Sequence, residues 1–264
     1  MEIETKLNDI AVSGNSGHGD SNRVESDRER WRRNISLLGD DGYLKLRAAH
    51  VAVFGLGGVG SWCADALARA GIGALTLVDS DTVSLSNVNR QLCARSSTVG
   101  RAKSEVMSDW VRDINPELRV RAVTGRYCHE NRESFLAGEP DFIIDAIDLV
   151  TDKLDLILGA MERGIRCVSA MGAGNKRDGS AFELADIYAT RNCSLSRVMR
   201  RELRRRGVER HMVVYSPELP QRPDSGELPP PGRRSVPGSL VWVTAPAGML
   251  LAQHVIDTLT YTFS

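Results

Sequence analysis

Thirty-four Lys and Arg balance thirty-four Asp and Glu, so the 264-residue chain carries no net charge at neutral pH. Any affinity for nucleic acid must then come from a local patch rather than from overall charge. The five cysteines, at positions 63, 93, 128, 167 and 193, form no C-x-x-C pair, which argues against a structural zinc site and against a disulfide framework. Scattered thiols suit a reducing compartment, so a cytoplasmic location is expected. No run approaches the roughly 18 apolar residues of a membrane span. Met1 to Asp27 has acids and no apolar core, unlike a signal or transit peptide; it is polar and reads as a disordered tail.

A nucleotide-binding pattern follows. Val51 to Phe54 is a short apolar run, Gly55-Leu-Gly-Gly-Val-Gly60 is a glycine-rich turn, Ser61 to Ala70 reads as a helix, and Ala74 to Asp79 is a second apolar run. Together they predict one β-α-β unit. Gly55 serves the sharp turn, Gly57 the close approach of a ligand and Gly60 the packing of helix on strand. The helix start at about Val59 aims free N–H groups at a phosphate, and Asp79 stands where an acid takes a ribose hydroxyl.

Before this unit, Glu29 to Ala49 has a helical pattern broken at Gly39 and Gly42. After it, helices are expected over Gly100 to Asp113 and Thr151 to Arg163, with strands over Arg119 to Thr124, Phe142 to Ile147 and Arg166 to Ser169. This alternation predicts a doubly wound, Rossmann-like α/β fold: a mostly parallel sheet with helices on both faces. The last third is a C-terminal elaboration: a strand from Phe182 to Tyr188, a helix from Ser194 to Arg206, a strand from Met212 to Tyr215 and a mobile loop from Pro217 to Pro237, which holds seven of the ten prolines. Leu240 to Thr244 and a helix from Ala247 to Leu259 end the core.

A glycine turn alone also suits nicotinamide and flavin enzymes. The residues beyond Asp79 shift the reading. Asp81, the run Ser86-Asn-Val-Asn-Arg-Gln91, Lys103 and Asp148 supply two cations and two acids. Arg90 and Lys103 suit the charge of a transferring phosphoryl group and its leaving pyrophosphate. Asp148 suits Mg²⁺, which keeps waters and bridges phosphate oxygens.

Gly55-Leu-Gly-Gly-Val-Gly60, Asp79-x-Asp81, Asn87-x-Asn-Arg-Gln91, Gly100-x-x-Lys103, Ile114-Asn-Pro116 and Asp145-Ala-Ile-Asp148 occur in this order. Over about residues 31 to 175 they resemble the ubiquitin-activating-enzyme-like (ThiF/MoeB/HesA) superfamily of ATP-dependent carboxylate adenylators. Gly58-Val-Gly-Ser-Trp62, Glu105-Val-Met107, the Gly172-Ala-Gly174 loop and the missing zinc cysteines are most similar to its branch of tRNA threonylcarbamoyladenosine dehydratases. The resemblance implies an ATP-binding set of Gly55, Gly57, Gly58, Gly60, Asp79, Asp81, Asn87, Arg90, Gln91, Lys103 and Asp148. Asp79 would take the ribose, Arg90 and Lys103 the phosphates, with Asn87 on the phosphate side; Asp81 and Asp148 would serve the metal, Mg²⁺ at Asp148, or orient the adenylate. Arg33 would reach the ATP of a neighbouring subunit, which implies a homodimer. Met171, Gly172 and Ala173 would offer a loop for a monovalent cation, Na⁺ or K⁺. On this view residues 28–264 form the adenylating domain, and 176–238 form a crossover insertion with a basic helix and a Pro-rich stretch.

The helix from Ser194 has an apolar face of Leu195, Val198, Met199 and Leu203. Arg197, Arg200, Arg201, Arg204, Arg205 and Arg206 crowd the rest. With Arg210, His211, Arg233 and Arg234 they form a patch suited to the tRNA backbone; the plainer reading is a solvated face paired with acids. Cys193 is a capping residue or a catalytic thiol, and Lys153 and Lys176 read as surface residues with an option on the substrate. His50, His129 and His254 have no ligand-spaced partner, and Trp62 and Trp110 read as core. Three alternatives stand beside the tRNA dehydratase: adenylation of a ubiquitin-like sulfur carrier, with a sulfur-carrier or cysteine desulfurase system as partner, a nicotinamide-dependent oxidoreductase, and a scaffold that binds nucleotide without turnover.

Overall fold

A computed structural model describes the backbone of residues 19–221 and 237–261, with side chains from residue 28 onward. The elements are α1 (Gly19–Ala48), β1 (His50–Phe54), α2 (Gly60–Ala70), β2 (Ala74–Asp79), α3 (Lys103–Ile114), β3 (Arg119–Thr124), α4 (Arg132–Leu136), β4 (Phe142–Asp145), α5 (Val150–Glu162), β5 (Arg166–Ala170), β6 (Glu183–Asp186), α6 (Ser194–Arg205), β7 (Met212–Tyr215) and α7 (Val241–Thr260). The strands form one seven-stranded sheet in the order β3-β2-β1-β4-β5-β7-β6. Every pairing is parallel except β6 with β7. This is the expected doubly wound α/β fold.

Burial follows from that topology. Val51, Val53, Phe54, Ile143 and Ile144 have no exposed surface, because a central parallel strand is covered on both faces. One face packs against α1, α2, α3 and α7, and the other against α4, α5 and α6. The order reverses between β1 and β4, so the carboxyl ends of these strands diverge and open the crevice where α/β sheets take ligands.

Three stretches differ from the reading of the sequence. Helix α1 starts at Gly19, inside the tail expected to be disordered to Asp27; residues 1–18 lie outside the described residues. It is broken only at Gly39, with φ of 73°, while Gly42 stays helical against the side chain of Thr260. Leu240 to Thr244 is not a separate segment, since helix α7 runs unbroken from Val241 past Pro246. Its close seat on α2 overrides the β-prone Val-Trp-Val-Thr run: a Cβ on Gly248 would lie 2.4 Å from the carbonyl oxygen of Val59. Most of the Pro-rich loop, residues 222–236 with Arg233 and Arg234, lies outside the described residues.

Candidate active site

A cleft of about 490 Å³ opens at the carboxyl ends of β1, β2, β4 and β5. Its floor is the glycine turn. Gly55 has φ of 89°, and a Cβ there would stand 2.6 Å from the carbonyl oxygen of Ala146. A Cβ on Gly60 would lie 1.8 Å from the carbonyl oxygen of Gly55, so α2 can pack this close to β1 only without a side chain. Gly57 differs: the nearest atom to its Cβ would be Gln91 Nε2 at 3.9 Å. It faces the cleft, leaving bare backbone where a ligand can come close.

Asp79 holds the turn in shape. Its Oδ2 accepts from the N–H of Leu56 at 2.6 Å, and its Oδ1 accepts from the N–H of Asp81 at 2.8 Å. Lys103 begins α3, and its Nζ donates to Asp81 Oδ2 at 2.8 Å. The backbone also places this lysine: Val83 donates to Arg101 O at 2.8 Å, Gly100 to Val83 O at 2.8 Å and Lys103 to Asp81 O at 3.0 Å. Trp62 Nε1 donates to the carbonyl of Arg90 at 3.0 Å and fixes that residue from α2. The half-buried Arg90 guanidinium donates to Ser86 O at 2.9 Å.

Gly55, Gly57, Gly58, Asp79, Asp81, Asn87, Arg90, Gln91, Lys103, Asp148, Met171, Gly172 and Ala173 all line this cleft. Gly60 lies beneath it, as a packing glycine. Arg33 is exposed on α1 and does not line the cleft of its own chain. Leu195, in the first turn of α6, lines the cleft, so the arginine helix begins at its lip. Arg197, Arg201, Arg204, Arg205 and Arg206 are exposed and Arg200 is half-buried. Glu202 pairs with Arg201, Arg205 and Arg206, and Arg204 lies 5.0 Å over the ring of Tyr188. One glutamate against six arginines leaves the face basic.

His211 does not join that patch. It is buried, with Nε2 2.8 Å from Ser169 Oγ, because it leads into β7 at the sheet interior. Burial, with help from the Lys153 charge, lowers its pKa to about 4. Cys193 is buried and caps α6, its Sγ accepting from Ser196 N at 3.4 Å. His50, His129 and His254 hold structural contacts with Thr76, Asp155 and Phe142. Trp62 and Trp110 are half-buried, each with its indole N–H bonded.

Neither lysine is on the surface. Lys176 is buried and donates to the carbonyls of Ser216 and Glu218. Lys153 has no exposed surface; its Nζ donates to Asp145 Oδ2 at 2.7 Å, to Ala170 O at 3.0 Å and to Asp145 O at 3.3 Å. It ties the ends of β4 and β5 together behind the Asp148 and Met171 loops. Burial pushes the Asp145 carboxyl up, while Lys153 and a 2.6 Å bond from Ser169 Oγ hold it down.

Arg126 and Asp152 also line the cleft and belong to none of the sequence motifs. The guanidinium donates through Nε to Asp152 Oδ2 at 2.8 Å and through NH2 to Asp152 Oδ1 at 3.2 Å. Nearby, burial works against the charge of Asp155, but hydrogen bonds from Arg132, Tyr127 and His129 bring its pKa down to about 2.

Comparisons with known proteins agree with this geometry. The family model described as ThiF family matches residues 31–262. The tRNA threonylcarbamoyladenosine dehydratase of Bacillus subtilis is 38% identical over 236 residues, covering 86% of this chain and 93% of its own. Escherichia coli tRNA N6-threonylcarbamoyladenosine dehydratase, TcdA, superposes with a TM-score of 0.81 in complex with AMP and 0.79 in complex with ATP. In each case it is 34% identical, covering 88% of this chain and 94% of its own. With the glycine turn, Asp79, Arg90 and Lys103 in one cleft and a match over most of its length, the chain belongs to the ThiF family.

Proposed function

We propose that this chain is an ATP-dependent tRNA threonylcarbamoyladenosine dehydratase, which adenylates the carboxylate of that nucleoside beside the anticodon and closes it into a ring. The observation that carries the reading is the charged set on the open side of Gly57: Arg90, Lys103, Asp81 and Asp148 around one cleft. A hydride-transfer site has no use for such a set, whereas attack at an α-phosphate does.

In this reading the glycine turn and the start of α2 bind phosphate, Asp79 takes the ribose, and Arg90 and Lys103 neutralise the phosphates. A substrate carboxylate oxygen attacks the α-phosphorus, the bond to the bridging oxygen breaks and pyrophosphate leaves. The carbamoyl group of the same nucleoside then attacks the acyl carbon and releases AMP with a proton. The oxygen lost by the substrate leaves within AMP. Lys103 is held by Asp81 at 2.8 Å before any ligand enters, so little reorganisation is needed when charge develops.

Among the described residues no group of three or more His, Cys, Asp or Glu side chains is placed to hold a metal ion. Asp148, on the lining of the cleft, would hold a Mg²⁺ brought in with the triphosphate, and the ion would neutralise phosphate charge. The carbonyls of Met171 to Ala173 are suited to a monovalent cation at the edge of the cleft. The arginine face of α6 supplies the tRNA backbone contact. Arg33 serves the partner's site in a homodimer in the cytoplasm. No helix among the described residues is long and apolar enough to cross a membrane.

Incubation with ATP, Mg²⁺ and either threonylcarbamoylated tRNA or a ubiquitin-like sulfur carrier tests the proposal. AMP release with the modified tRNA, together with loss of one water from the nucleoside, is expected. AMP release with the carrier alone would point to the sulfur-transfer chemistry of other carboxylate adenylators.

A further inference from the structure

We propose that Arg126, held flat by Asp152, forms the base-stacking wall of the nucleotide cleft and sets its preference for a purine. The inference rests on ATP being the ligand, as proposed above. A nucleotide whose phosphates meet the Gly57 turn and whose ribose meets Asp79 runs on toward the next strand outward, β3. The chain leaving β3 is tied to the ribose end: Gly125 donates to the carbonyl of Asp79 at 3.2 Å. Arg126 is the next residue, and both it and Gly125 line the cleft. The base is therefore brought to Arg126.

Its surroundings make this arginine a platform rather than a phosphate ligand. Its Nε and NH2 bind the two oxygens of Asp152, a side-by-side contact that fixes the guanidinium plane. Asp152 is itself 6% exposed, and Thr151 Oγ1 donates to its Oδ1 at 3.1 Å. The Arg126 side chain is 62% exposed, so the guanidinium is gripped at its edge while the group as a whole stays open. Asn131 Nδ2 donates to its carbonyl at 2.8 Å and steadies the backbone. Its charge is already matched by Asp152, and what remains to offer is a planar cation, which stacks well on a purine. Arg90 and Lys103 serve the phosphates without it.

Calorimetric titration of the full chain with ATP and with CTP tests the assignment without involving tRNA. Arg126→Lys keeps the charge and loses the plane; it should weaken ATP binding roughly tenfold, the size of one base-stacking interaction, and narrow the ATP-over-CTP preference by a similar factor. Arg126→Phe keeps a flat face and should stay within about threefold of wild type. Asp152→Ala removes a negative charge near a triphosphate yet should weaken ATP binding, because the plane is released. Full affinity in Arg126→Lys, or tighter binding in Asp152→Ala, would mean that Arg126 acts by charge, on a phosphate of ATP or tRNA, and would overturn the proposal while leaving the adenylation reading intact. Absence of ATP binding in the wild type would overturn both. Binding that depends on the Arg126 plane, without AMP release on modified tRNA, would uphold the platform and remove the dehydratase reading.

Discussion

Lys153→Met should be among the most destabilising single substitutions in the chain. The ammonium and the Asp145 carboxylate are both without exposed surface, 2.7 Å apart. Methionine fills much the same space but leaves the acid without its counter-charge, and the carbonyls of Asp145 and Ala170 lose a donor. Breaking a buried pair from one side costs about 3–5 kcal/mol. For a chain of this size each kcal/mol shifts Tm by roughly 2–4 °C, so a fall of about 6–20 °C is expected. Differential scanning fluorimetry, checked by urea titration, measures it. The double variant Lys153→Met/Asp145→Asn leaves no charge in the site. The amide oxygen can still accept from Ile147 N, and the amide nitrogen, in place of the oxygen that accepted from Ser169, can donate to Ser169 Oγ. This variant should recover at least half the loss. A single-variant loss below about 1 kcal/mol, or a double variant no better than the single, would refute the argument that a desolvated charge pair holds these strand ends together.

Other consequences concern the turn, the pH response and the basic helix. Gly57→Ala should keep wild-type Tm and lose nucleotide affinity, because its Cβ enters the cleft. Gly60→Ala should lose about 3 kcal/mol by overpacking onto the carbonyl of Gly55. His211 has a folded pKa of about 4 against an ordinary value of about 6.5. Between those values the unfolded chain binds the extra proton, so the contribution of neutral, buried His211 is complete above pH 6.5 and disappears by pH 4. The gap corresponds to about 3 kcal/mol, and urea titrations should show His211→Gln flattening this slope. Replacing Arg197, Arg201 and Arg204 by Ala should weaken tRNA binding and lower the slope of log affinity against log salt by about 0.7–0.9 for each phosphate no longer neutralised. An unchanged slope would leave the α6 arginines as a solvated face.

The part of the site that the sequence announces is the part set by local backbone geometry. Gly55, Gly57 and Gly60 are required by a turn, a close approach and a packing contact, and each requirement leaves a glycine at a fixed spacing. Asp79, Lys103 and Asp148 fall at strand ends or a helix start, so the alternation of elements already places them together. Arg126 follows β3 and Asp152 lies in the first turn of α5, positions that share no spacing rule, and only the fold reveals their meeting. Lys153 is hidden for another reason: a lysine on a helix reads as exposed until its buried acid is located. His211 next to Arg210 looks basic, yet entry into β7 turns it inward. The helical state of Val241 to Thr244 is decided by contact with α2, which local propensity does not register.

Adenylation of the carboxylate requires that the oxygen removed from the nucleoside leave on the α-phosphate of ATP. Modified tRNA labelled with heavy oxygen in the threonylcarbamoyl carboxylate, incubated with this protein, ATP and Mg²⁺, measures it directly by mass spectrometry of the released nucleotide. One labelled AMP for each ring closed is the predicted result. Unlabelled AMP, or label recovered in inorganic phosphate beside ADP, would contradict adenylation of the carboxylate.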